Sequence, residues 1–119
     1  MTATLAERRP TRTAPTVKWF PAGARVAEWS YTSKPARGRC RIDHETLHLR
    51  LRVELARPDK VPDVLGVEAW LADLCRTEAT VEEYAAAAVR EFGGTVTVVG
   101  RTRTHGRIKV VLKGYDNPR

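Results

Sequence analysis

From Thr46 to Leu55 the chain alternates without a fault. Leu47, Leu49, Leu51, Val53 and Leu55 fall on one side, and Thr46, His48, Arg50, Arg52 and Glu54 fall on the other. Successive side chains of a strand point to opposite faces, so this stretch is expected to be a β-strand with one face in a core and one left to water or a partner. A helix would scatter the same leucines around its circumference. The rest of the fold has to supply a second layer for that apolar face.

Two later segments have the helical period that could supply it. Val64, Val67, Trp70, Leu71 and Leu74 recur at helical spacing, predicting an amphipathic helix from Val64 to about Arg76. Thr80-Val81-Glu82-Glu83 has the form of a capping box. Val81, Tyr84, Ala85, Ala88 and Phe92 follow as an apolar stripe, and Gly93-Gly94 marks the stop. Residues 25–32 alternate around Trp29 and Tyr31 and predict a strand, and residues 33–38 predict a turn. Residues 57–63, with two prolines, break the sheet. Val96 and Val98 alternate with Thr95 and Thr97, with a bulge expected at Val99-Gly100. A hairpin around His105-Gly106 then leads to a strand with Ile108, Val110 and Leu112 on one face and Arg107, Lys109, Val111 and Lys113 on the other.

The expected fold class is therefore α+β: a two-layer sandwich of ββααββ order, an antiparallel four-stranded sheet with two helices on one face and the other face open. The chain has 119 residues, 42% hydrophobic and 29% charged, which fits one folded domain and excludes collagen-like and wholly disordered classes. Residues 1–16, rich in Arg, Thr and Pro, are expected to be a flexible basic arm, and residues 17–119 a single domain. No apolar run reaches membrane-spanning length, so no membrane partner is expected. Cys40 and Cys75 lack the spacing of a zinc knuckle and suit a reducing, cytoplasmic setting.

The net charge of +7 is unevenly spread: residues 1–58 carry 12 Lys/Arg and 5 Asp/Glu, residues 59–91 carry 3 and 8, and residues 92–119 carry 6 and 1. The acidic block coincides with the predicted helices and the basic blocks with the predicted strands. Thr46, His48, Arg50, Arg52, Arg107, Lys109 and Lys113 should thus form a cationic open face. Such a face offers phosphate contacts, and Arg8-Arg9 in the arm would add to them. It carries no aromatic residue on which a base could stack.

The ββααββ order resembles the unit of the tunnelling fold (T-fold), shared by 7-cyano-7-deazaguanine reductases, pyruvoyl-tetrahydropterin synthases, GTP cyclohydrolases and dihydroneopterin aldolases. Residues 43–51, Asp-His-Glu-Thr-Leu-His-Leu-Arg-Leu, resemble the second strand of the reductase branch. Residues 99–108 resemble its final hairpin, with Gly100, Gly106 and Ile108 at the recurring positions. The resemblance implies a homo-oligomer that binds a purine- or pterin-like anionic ligand at subunit junctions. Glu82 or Glu83 would stand at the helix-start carboxylate that anchors the heterocycle, with Arg50, Arg52 and Lys109 as cationic partners. The reductases' Cys-Pro motif has no counterpart, because Arg41 follows Cys40, and no reaction or cofactor is assigned.

The candidate residues have competing structural roles. The capping box alone accounts for Glu83. Cys75 is expected to be a small buried hydrophobe. Cys40 lies between Arg39 and Arg41, but the sequence places no acid-base partner beside it. His44 and His48 would lie about 13 Å apart on one strand, so no metal site is assigned. The alternative to a T-fold-like ligand-binding domain is a non-enzymatic module that binds nucleic acid or protein through the basic sheet face.

Overall fold

The computed structural model describes residues 16–23 and 25–114. The chain is α+β. Its elements are β1 (Trp19–Pro21), β2 (Glu28–Thr32), β3 (Ala36–Arg39), β4 (Thr46–Ala56), β5 (Lys60–Pro62), α1 (Val64–Leu74), α2 (Val81–Phe92), β6 (Thr95–Thr102) and β7 (Gly106–Lys113). The main sheet has five strands and not four. β2 and β3 lie end to end along one side of β4, and β6 and β7 follow on its other side, with every pairing antiparallel. β1 and β5 form a separate two-stranded sheet.

The expected first strand is β2 and ends at Thr32, but the segment expected to be a turn continues the edge through a bulge into β3. Between the pairs Thr32↔Arg52 and Ala36↔Leu49, the outer strand spends three residues where β4 spends two. Pro35 has no N–H to give to a ladder. Ser33 maintains the pairing instead: its backbone N–H donates to the Leu51 carbonyl (2.7 Å), and its Oγ accepts from the Leu51 N–H (2.9 Å). The extra residue also preserves the facing of the strand. Trp29 and Tyr31 point inward from β2 at odd numbers, and Ala36 and Gly38 point inward from β3 at even ones, because they pair with Leu55, Val53, Leu49 and Leu47.

β4 behaves as its alternation demands, with burial switching at every residue from Thr46 to Ala56. Its inner face joins Val96 and Val98 of β6, Val67, Leu71 and Leu74 of α1, and Val81, Tyr84, Ala85, Ala88 and Phe92 of α2 in one core. Both helices reach that inner face. Tyr31 donates its hydroxyl proton to Glu68 of α1, and this contact pushes the phenol pKa up to about 12. Two glycines of the inner face admit α2: a Cβ on Gly100 would lie 2.5 Å from Val81 Cγ2, and one on Gly38 would lie 2.7 Å from the Tyr84 hydroxyl.

Gly100 is therefore a packing residue. The bulge expected at Val99-Gly100 is absent, and the ladder runs unbroken through Val99↔Lys109 and Gly100↔Ile108. The helix ends follow local chemistry. Asp63 caps α1 by accepting from the Gly66 N–H. The Thr80/Glu83 capping box is complete, and α2 stops at Gly93 with φ 69°. Residues 57–63 do leave the main sheet, but Lys60–Pro62 then pairs with Trp19–Pro21. No helix among the described residues is long and apolar enough to cross a membrane.

Candidate functional site: a cationic sheet face and the loops at its end

The outer face of the sheet is built in cross-strand rows, because directly paired residues share a face. One row reads Arg37, His48, Arg101, Arg107; the next reads Arg50, Val99, Lys109. A third reads Thr32, Arg52, Thr97, Val111, and a fourth Ser30, Glu54, Thr95, Lys113. Arg50, Arg52, Arg107, Lys109 and Lys113 do project from one surface. Positive charge is densest in the first two rows and declines toward Glu54 and Glu28.

The residues of these rows are not equivalent. Arg52 is held in place: it donates to Thr32 Oγ1 (2.9 Å) and Ser30 Oγ (3.3 Å) and lies 3.4 Å from Glu54. No described residue pairs with the side chains of Arg50, Arg101, Arg107 or Lys109. Arg101 and Arg107 sit directly opposite each other, an arrangement of like charges that costs stability in a sheet. A shallow depression of about 380 Å³ lies here, lined by His48, Arg50, Arg101, Arg107 and their neighbours. Arg37 and Arg101, part of the same patch, escaped the sequence reading. Arg37 fell in the expected turn, and Arg101 fell just beyond the expected bulge.

Glu82 and Glu83 belong to the other layer. Glu83 is engaged through one oxygen: its Oε1 accepts from the Thr80 N–H (3.0 Å) and from the Arg41 Nε–H (2.9 Å). Burial raises its pKa, but these two donors outweigh burial and leave the carboxyl below its ordinary value. Glu82 is exposed in the first turn of α2. Within one chain the sheet itself separates it from Arg50 and Lys109, which stand on the face opposite the helices. Arg8 and Arg9 lie outside the described residues.

At the end of the sheet, two hairpin loops and the start of α2 bring together groups far apart in sequence. The pairing His48↔Arg101 sets the turn before Thr46 beside the turn after Thr102. His105 Nε2 lies 2.7 Å from Asp43 Oδ2. The Glu45 N–H donates to Asp43 Oδ1 (3.0 Å). That backbone donor, followed by the contacts from Cys40 and His105, keeps the Asp43 carboxyl below its ordinary pKa against a smaller effect of burial. His44, at φ 61°, turns away to Glu78, with Nδ1 2.8 Å from Oε1. Cys75 is half-buried, and burial pushes its thiol up to about 11, which suits a packing role.

No family model and no curated protein sequence matches this chain.

Proposed function

We propose that this chain is a tunnelling-fold-type domain that binds an anionic, purine- or pterin-like ligand on its cationic sheet face, at a junction between copies of itself. The observation that carries this reading is the set of cations in adjacent rows, Arg101 and Arg107 beside Arg50 and Lys109, that no described residue pairs, on a face that neither helix covers. An anion between them offsets the like-charge repulsion and gains charge-assisted hydrogen bonds.

The chain order of the sheet supports the same reading. β2 and β3 act as one broken strand, followed by β4, β6 and β7 in sequence, with both helices inserted between β4 and β6. Among the described residues both outer edges lack a strand partner. The β7 edge strand also exposes Ile108 (38%) and Val111 (49%). Unprotected edges of this kind favour pairing with another copy. The junction is required chemically too, because Glu82 can meet the cationic rows only across two chains. There its carboxylate would accept the paired N–H groups of a heterocycle edge.

The test combines sedimentation with thermal shift against guanosine monophosphate, a pterin and inorganic phosphate. An oligomer stabilised by the heterocycles is expected, with Glu82→Gln abolishing the heterocycle shift and leaving the phosphate shift. A monomer at micromolar concentration with no heterocycle response rejects the reading. The directly opposed Arg101 and Arg107 also suit a nucleic-acid backbone. In that second reading, log affinity for an oligonucleotide falls steeply with log salt, and the chain needs no oligomer.

A further inference from the structure

The loop cluster at the end of the sheet is independent of the ligand-binding face. We infer that Asp43, Glu45 and His105 form a binding site for a single transition-metal ion of the zinc type, built by the β3–β4 and β6–β7 hairpin loops. One donor atom each from Asp43, Glu45 and His105 lies within 4.8 Å of the others. In a tetrahedral zinc site, bonds of about 2.0–2.3 Å place donor atoms about 3.3–3.8 Å apart. Closing the cluster around an ion therefore needs side-chain adjustment of about an ångström and no backbone movement.

The backbone is held for that purpose on both sides. The Cys40 N–H donates to the Glu45 carbonyl, and the His44 N–H to the Cys40 carbonyl, both at 2.9 Å, so residues 40–45 form a closed turn. In the other loop the His105 N–H donates to the Oγ1 of buried Thr102 (2.9 Å). The donors thus come from two pinned turns, and their order in space is fixed by the β4–β6 register.

The donor set selects the metal class. An imidazole nitrogen beside two carboxylates does not suit magnesium or calcium, which take oxygen ligands throughout, whereas zinc and cobalt(II) accept the mixture. Two carboxylates lie near one another with His105 beside them, and a divalent ion balances that negative charge. On binding, His105 ligates as the neutral ring through a nitrogen lone pair. His44 and His48 take no part: His44 is engaged with Glu78, and His48 projects from the outer sheet face.

The test uses the full chain, first stripped of metal and then titrated with zinc or cobalt(II). One equivalent should bind. The cobalt form should show visible d–d bands of a nitrogen–oxygen site, and magnesium should not compete. Asp43→Asn and His105→Ala should each weaken binding at least tenfold and alter those bands. His44→Ala and Cys75→Ser should change neither. Circular dichroism checks that each variant is folded, and His105→Ala, in an exposed turn, is the substitution least able to disturb the core. No saturable binding, displacement of cobalt by magnesium, or unchanged affinity in Asp43→Asn with His105→Ala would overturn the site.

Discussion

Leu51 and Arg52 are neighbours on β4. Leu51 is 1% exposed beneath the helix layer, and Arg52 stands at the surface on hydrogen bonds to Thr32 and Ser30. The contrast extends over the whole sheet. The inner face is sealed by shape, with leucines and valines filling space and glycines placed where α2 approaches closely. The outer face is organised by charge, with cations in register and no apolar layer above them. One face carries the stability of the domain, and the other is free to vary for binding. If that division is correct, substitutions on the two faces should differ sharply in cost.

The largest effect is expected from Leu51→Ala, which leaves a cavity in the core and should lower unfolding free energy by about 2–5 kcal/mol in urea titrations. Arg52→Ala, one residue away, should change stability by less than about 1 kcal/mol. Equal losses from the two would break the comparison.

Gly100→Ala tests the fit of the inner face directly. Its new methyl group meets Val81, so a loss of about 1–3 kcal/mol is expected, and Val81→Ala in the same chain should recover part of it. Strict additivity in that double-mutant cycle would show that the two residues do not meet.

Thr80→Ala removes half of the capping box and should cost about 1 kcal/mol. The same region sharpens the comparison through pH. The Glu83 carboxyl is lowered by its Thr80 and Arg41 donors, so its contribution is fully present above the unfolded-state pKa and is lost as pH falls through the folded one. Melting temperatures followed into acid should therefore fall less steeply for Glu83→Gln than for the parent chain.

The smallest effect belongs to the outer face. Arg107→Thr relieves the opposition with Arg101 and should stabilise the chain by a few tenths of a kcal/mol, less as salt is added. It should at the same time weaken anion binding. A destabilised variant would mean that Arg107 is part of the scaffold.

Much of this division was legible in local patterns. The alternation from Thr46 to Leu55, the helical stripe ending at Phe92 and the Thr80–Glu83 box each depend on residues within a few positions, and each formed as its pattern requires. The misreadings came where local rules had more than one outcome. Ser33-Lys34-Pro35 has turn composition, yet a serine hydroxyl facing Leu51 makes it a bulge in a continuing edge. Gly100 looked like a ladder defect, and it is instead the gap that Val81 fills. The β1–β5 pair was missed because a three-residue strand has no period to detect.

The sequence by itself determined which side chains of β4 and α2 face inward, where α2 begins and ends, and that positive charge would gather on the sheet. These properties repeat every two or 3.6 residues and need no distant partner. Tertiary structure alone decided that Asp43 would meet His105, that Arg41 would reach Glu83, and that Arg37 would extend the row of Arg101 and Arg107. Those meetings depend on the register between β4 and its neighbours, which is set by the packing of a core drawn from the whole chain.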